Sequence, residues 1–345
     1  MISEYLKYGA IWTKVLSLYG KRLKDRDYVN MCQKTSVTQV AEYLKNHPYW
    51  RGALKDFDLS DVHRGQLEAE LKKAALDEYL RVARFCMQGD FKVLNYPIIQ
   101  AELKEIISFL QLLRANTPEL YICELSDYYK QRSKIDFDRF SAACSMDEFL
   151  AALADSEYYT VLKNVNPAEE SSYASIEVVL RAHLYAKLVR AINSKYSGDV
   201  KKALLKSFGM QIDLINIINV MRIKRYFAYD AEDIQSFIIP HYYKISLDFL
   251  KRLAQAQGEA AELELFAQTI YGKLFKENRF AYLENYLYKA LYDFSHKALS
   301  TGKPSVFVPI AYLSLKDIEL KNVINVIECI RYGIEKERIN SFLIL

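Results

Sequence analysis

The groups in this 345-residue chain that could do chemistry are few and dispersed. His47, His63, His183, His241 and His296 never stand four apart, so no helical turn offers a paired imidazole site for zinc. Cys32, Cys86, Cys123, Cys144 and Cys329 are odd in number and form no C-x-x-C pair; with no basic, apolar leader in MISEYLKYGAIW, they read as reduced cytosolic thiols. G-x-S-x-G, G-x-G-x-x-G and G-x-x-x-x-G-K-[ST] are all absent. The nearest string, Thr301-Gly302-Lys303-Pro304, lacks the upstream glycine and puts proline where a Mg²⁺-binding hydroxyl belongs. Carboxylates converging from distant segments leave a narrow opening for an enzyme, with Glu105 and Glu328 as the acids to test. The reading is non-catalytic, with no cofactor and no metal.

A row of polar residues is the more specific feature. Asn216, Asn219 and Arg222 stand three apart, as do Asn322, Asn325 and Glu328, and Glu105, Ser108 and Gln111. On a helix, such residues stack beside one another. Asparagine is a poor helix-interior residue, so its recurrence needs a reason. Two readings stand: the rows face a polar lumen that receives a partner, or the amides tie neighbouring segments together by buried hydrogen bonds.

The elements carrying these rows repeat. Leu214–Tyr226 aligns without gaps with Leu320–Tyr332, with seven of thirteen positions identical. A weaker copy begins at Leu103. Apolar residues at i, i+3, i+4 and i+7 (Leu103, Ile106, Ile107, Leu110; Leu214, Ile217, Ile218, Met221; Leu320, Val323, Ile324, Ile327) form the buried stripe of an amphipathic helix. The pattern [Leu/Ile]-Glu-x-x-Leu occurs three times, at Leu67, Ile176 and Leu283, and precedes each stripe by 36 to 38 residues. Asp27, Tyr28, Ser36, Leu44 and Tyr49 recur 109 residues on as Asp136, Phe137, Ser145, Leu153 and Tyr158, and Leu250, Leu253, Phe266 and Tyr271 follow at equivalent spacing. A period near 110 residues is too long for a solenoid and suits a small domain. The expected division is 1–120, 121–229 and 230–345.

Composition agrees with helices. Eleven glycines and seven prolines are too few for the turns of a β-sandwich or barrel, and 51% hydrophobic residues excludes wholesale disorder. Windows 66–87, 176–195 and 282–299 read as helices, with Ser36/Gln39 and Ser145/Glu148 as capping boxes. Gly89, Gly198 and Gly302 are placed as helix-ending glycines, and Pro97 and Pro309 in the connections before the stripe helices. The net charge of +4, with acids and bases interspersed, argues against nucleic acid. No apolar run reaches the roughly 18 to 20 residues of a membrane span. The 27 tyrosines suit half-wet interfaces. Tyr49, Tyr158 and Tyr271 recur in register and read as packing; Tyr128, Tyr129, Tyr242, Tyr243, Tyr286 and Tyr288 do not, and are the interface candidates.

The triplication, the stripe Lys321-Asn-Val-Ile-Asn-Val-Ile-Glu-Cys-Ile-Arg-Tyr-Gly-Ile334 and the opening Tyr8-Gly-Ala-Ile-Trp-Thr-Lys-Val-Leu-Ser-Leu-Tyr-Gly-Lys-Arg-Leu23 together resemble the C-subunit family of V-type (A/V-type) ATPases, related to the d subunit of the eukaryotic V-ATPase. Ile223-Lys224-Arg225 keeps the family's basic helix ending, while Glu328 and Ile330 depart from it. The resemblance implies an all-α chain of three tandem homologous helical-bundle units arranged as a pseudo-threefold funnel. It implies a peripheral rotor subunit, one copy per complex, on the cytoplasmic face of the proteolipid ring. The funnel would seat the central shaft, made of the D and F subunits, and transmit torque for H⁺ or Na⁺ transport. The polar rows are then the lumen and shaft-interface candidates. The competing reading is a free helical adaptor that binds a protein or small-molecule ligand in a central cavity.

Overall fold

The computed structural model describes residues 4–60, 62–86, 88–123, 125–131, 133–163, 173–226, 233–274 and 283–345. Residue 282, where the third expected helical window begins, lies outside them. The architecture is all-α, with no strand among the described residues. The helices in chain order are α1 (Glu4–Gly20), α2 (Asp25–Cys32), α3 (Val37–Asn46), α4 (Arg64–Ala83), α5 (Phe91–Leu94), α6 (Tyr96–Arg114), α7 (Asp127–Lys130), α8 (Phe137–Ala142), α9 (Met146–Ala152), α10 (Glu157–Leu162), α11 (Tyr173–Lys195), α12 (Gly198–Tyr226), α13 (Leu247–Gln255), α14 (Gly258–Ala267), α15 (Leu283–Thr301), α16 (Phe307–Arg331) and α17 (Lys336–Ile339). The three stripes fall on the long helices α6, α12 and α16, and the [Leu/Ile]-Glu-x-x-Leu motifs on α4, α11 and α15.

Local chemistry explains the starts and stops. Ser36, Ser145 and Ser246 cap α3, α9 and α13 by accepting the N–H three residues on, an orphan donor of the first turn. Gln39 and Glu148 return the bond to the N–H of Thr35 and Cys144, one residue before the cap. Pro97 and Pro309 sit inside the first turns of α6 and α16, not in the connections before them. An N–H there has no helical acceptor, so proline removes nothing. Gly198, the first residue of α12, has a left-handed φ of +58° just after α11 ends. Gly89 instead lies in a short 3₁₀ turn, and Gly302 follows α15 without a left-handed φ. Gly333 ends α16: at φ +63° it lets its own N–H reach the Ile330 carbonyl and the Ile334 N–H the Cys329 carbonyl, which satisfies two orphan acceptors.

The chain forms two compact units that interleave along the sequence. One comprises 1–91, 202–207 and 257–345. In its core, Tyr28, Met31, Val40, Leu44, Trp50, Leu67 and Leu71 pack on Leu320, Val323, Val326 and Ile327. The stripe of the last repeat therefore buries itself against the small helices of the first. The second unit comprises 92–201 and 208–256. There Phe109 of α6 packs against Phe140 of α8 and Phe149 of α9, with ring centroids 4.8 and 5.3 Å apart. Again a stripe helix packs on small helices, here ones that follow it in sequence. Of the twelve stripe residues all are buried except Ile107 and Ile324, which are half-buried.

Candidate functional site

The polar rows lie on α6, α12 and α16, and their geometry is most regular on the last two. The Asn322 amide donates to the Ile344 carbonyl at 2.9 Å and accepts the Ile344 N–H at 2.8 Å. Asn216 does the same to Ile239, at 3.0 and 2.7 Å. One turn on, Asn325 donates to the Phe342 carbonyl at 2.8 Å and Asn219 to the Phe237 carbonyl at 3.0 Å. Each helix thus clamps a Phe-Xaa-Ile strap that follows its first asparagine by 22 or 23 residues. Asn216 and Asn322 are buried, and their side chains engage these backbone groups, with Asn322 also hydrogen-bonded to the Tyr28 hydroxyl. A buried amide that engages both polar groups of one residue leaves neither orphaned. The hydrogen-bond reading of the asparagines thus describes their present contacts.

One turn before each row stands an acid that the spacing of the rows alone does not single out. Asp213 accepts the N–H groups of Tyr243 and Lys244, at 3.1 and 2.9 Å. Glu319 accepts the N–H of Leu23 at 3.3 Å and the ammonium of Lys316 at 2.7 Å. Glu102 accepts from the hydroxyls of Ser133 and Tyr158, both at 2.5 Å. In each case the acid holds a segment at a run of small helices. The signal was available: Glu102, Asp213 and Glu319 occupy the same register of the stripe. Burial pushes the Glu102 carboxyl upward, and the two hydroxyls counter it in part.

In the first row Glu105 is buried and accepts the Tyr121 hydroxyl at 2.6 Å, Ser108 is half-buried and Gln111 is exposed. Burial and the Glu105 charge hold the Tyr121 phenol protonated far above neutral pH. Arg222 is exposed, and Glu328 is half-buried in an ion pair with Arg64. The rows therefore run from a buried, internally satisfied end to an exposed end at Gln111 and Arg222.

Among the non-repeating tyrosines, Tyr129 is completely buried and donates to the Ile98 carbonyl at 2.7 Å, so it serves the interior. Tyr242 is 44% exposed. Tyr243 is half-buried against Gly209, where a Cβ would come within 2.5 Å of its ring. Tyr128, Tyr286 and Tyr288 are half-buried, and the Lys321 ammonium lies 4.0 Å from the Tyr288 ring centroid. The structure gathers Tyr242 and Tyr243 onto the strap end held by Asp213 and leaves the other tyrosines on separate elements. Tyr158 and Tyr271, recurrent in sequence, are buried at 3% exposure.

Three charged features lie outside the polar rows. Lys316 and Glu319 form a buried ion pair, and the ammonium sits 3.6 Å from the Tyr49 ring centroid. Tyr49 and Tyr312 both donate to Glu78. Asp317 is the exposed member of an otherwise buried stretch of α16. Its carboxyl reaches solvent, yet protein surrounds it densely enough that desolvation pushes its pKa up to about 7, with Lys72 pulling the other way. No group of three or more metal-ligating side chains occurs among the described residues.

Comparison with known proteins decides the family. Residues 11–342 match the model of the ATP synthase (C/AC39) subunit family. The chain belongs to this family. It is 22% identical over 357 aligned positions to the C subunit of the A-type ATP synthase of Pyrococcus abyssi (strain GE5 / Orsay), covering 99% of this chain and 92% of that protein. It is 29% identical over 330 positions to the C subunit of the A-type ATP synthase of Methanothermobacter thermautotrophicus (strain Delta H), covering 90% of this chain and 80% of that protein. The match to the C/AC39 family runs through all three polar rows. No described helix of this C/AC39 protein is long and apolar enough to cross a membrane, as its hydropathy pattern implies.

Proposed function

We propose that this chain is a non-catalytic central-stalk rotor subunit of a V-type ATPase or ATP synthase. It would be the socket that joins the shaft of D and F subunits to the proteolipid ring, peripheral at the cytoplasmic face, and it would transmit torque for H⁺ or Na⁺ transport. The observation that carries this reading is the family match from residue 11 to 342, with relatives named as C subunits of A-type ATP synthases. The three repeats are taken as three units around one axis. A torque-bearing part must be stiff, and the clamped straps support that demand: each is tied to a long helix by three hydrogen bonds between asparagine side chains and its backbone. With the asparagines occupied, contact with the shaft falls to the exposed ends of the rows, Gln111 and Arg222, and contact with other subunits to Tyr242.

The test is assembly followed by coupling. Purified chain is mixed with D–F dimer, and separately with detergent-solubilised proteolipid ring, and ATP-driven ion transport is measured in the reconstituted complex. The reading expects binding to both, and at least tenfold weaker D–F binding for Arg222→Glu with Gln111→Glu at unchanged helicity. A chain that binds neither overturns it. ATP-driven transport that persists without the chain overturns it as well.

A further inference from the structure

We propose that the concavity between the start of α2 and the middle of α16 binds an organic phosphate that carries a flat ring, a ligand of the nucleotide class. The cavity measures about 350 Å³ and lies wholly within the first compact unit. That is the size of small-molecule sites, which are mostly apolar walls with a few convergent polar groups. Here the walls are the rings of Tyr19, Tyr28, Tyr292 and Tyr312, with Leu315 and Ile318. The rim carries Arg22, Lys24 and Arg26. A neighbouring concavity shares these three cations and adds Lys21 and His47.

What separates this cavity from an ordinary packing defect is which of its charges are already used. Lys316 and Glu319 neutralise each other at the floor. Asp27 accepts the Lys24 N–H and the Tyr43 hydroxyl. Asn322 is committed to Ile344. The three rim cations are not so engaged. The Arg22 guanidinium lies 4.1 Å over the Tyr19 ring and donates to the Tyr19 carbonyl, and neither contact neutralises it. The Lys24 and Arg26 side chains form no hydrogen bond or ion pair with any described residue; of the lining groups that carry negative charge, the Asp25 side chain and the carboxylate of Leu345 are likewise outside any ion pair among the described residues. Asp25 and Arg26 are also the first two residues of α2, whose N-terminal dipole adds to the positive potential. Three cations at alternate positions beside a helix start match the several oxygens of a phosphate better than a single carboxylate. Four phenol rings behind them suit a flat ring, which stacks or meets ring edges. The buried Tyr19 hydroxyl neighbours the Tyr292 phenol and makes no close hydrogen bond within the fold. Burial lifts its pKa to about 12, so it stays a proton donor.

Isothermal titration of the intact chain with AMP, ADP, inorganic phosphate and phosphatidylglycerol vesicles tests the assignment. Expected are saturable binding of ADP, binding of phosphate alone at least tenfold weaker, and an ADP affinity that falls as salt rises. Lys24→Glu with Arg26→Glu changes two exposed side chains and is expected to weaken ADP at least tenfold with the melting temperature unchanged. Tyr292→Ala is expected to weaken ADP and leave phosphate alone. No saturable heat with either nucleotide overturns the proposal, as does ADP binding that the charge-reversed variant retains. Phosphate binding as tightly as ADP, or vesicles binding where nucleotides do not, overturns the assignment of a ring-bearing ligand.

Discussion

Replacing Asn322 by alanine gives the sharpest test of the strap clamp. The substitution removes the two hydrogen bonds to the carbonyl and N–H of Ile344, in a site where the asparagine is 1% and Ile344 2% exposed. A neutral hydrogen bond contributes about 1 kcal/mol net, and a buried group left without a partner costs about 1 to 3 kcal/mol. The strap can swing toward water once released, which places the cost near the low end, at about 2 to 3 kcal/mol. The assay is amide hydrogen exchange at Ile344, because opening the strap exposes that N–H without unfolding α16. At about 1.4 kcal/mol per decade, exchange should quicken roughly 30- to 150-fold. Asn325→Ala is the internal control: it loses one bond, at a half-buried site, and should quicken exchange about fivefold. Asn216→Ala should reproduce the Asn322→Ala result at Ile239, in the other compact unit. Exchange at Ile344 within threefold of the parent, or a larger effect from Asn325→Ala than from Asn322→Ala, would refute the assignment of the clamp to the first asparagine.

Three further outcomes follow from the same contacts. Lys316→Met strands the Glu319 charge in the core and should lower stability by about 3 to 5 kcal/mol; adding Glu319→Gln, which can still accept the Leu23 N–H, should restore most of the urea midpoint, and a double variant no better than the single would sink the ion-pair account. Glu102 has its pKa raised by burial, so between the ordinary carboxylate value of about 4.3 and the raised value the native state holds more protons than the unfolded state. Stability from this group is full below that window and is lost as pH rises through it; Glu102→Gln should flatten the decline, and superimposable pH profiles of urea midpoints would refute it. Gly209→Ala places a Cβ against the Cβ and ring of Tyr243, and that segment must move to admit it; a cost of about 1 to 3 kcal/mol is expected, with Tyr243→Gly in the same chain, which removes both contacting groups, relieving it, and a neutral single substitution would contradict the packing.

The sequence by itself determined the helices, their buried faces and the repeat. Each rests on local periodicity: a stripe at i, i+3, i+4 and i+7 buries the same face whatever it packs on, which is why ten of the twelve stripe residues of α6, α12 and α16 are buried. The serine caps were legible for the same reason, since donor and acceptor stand three residues apart. The family was legible because order and spacing of the markers add up along the whole chain. Tertiary structure alone decided which helix meets which. Glu319 holds Leu23 across 296 residues, and the stripe of α16 closes the core of α2, α3 and α4, so the first and last repeats complete one another. No local pattern encodes that choice, because every stripe offers much the same apolar face. It also decided what the asparagines do. An amide at a helix surface has the same donors and acceptor for water, a partner or its own backbone. Only the path of the chain 22 residues later brought Ile344 to Asn322 and made the backbone its partner.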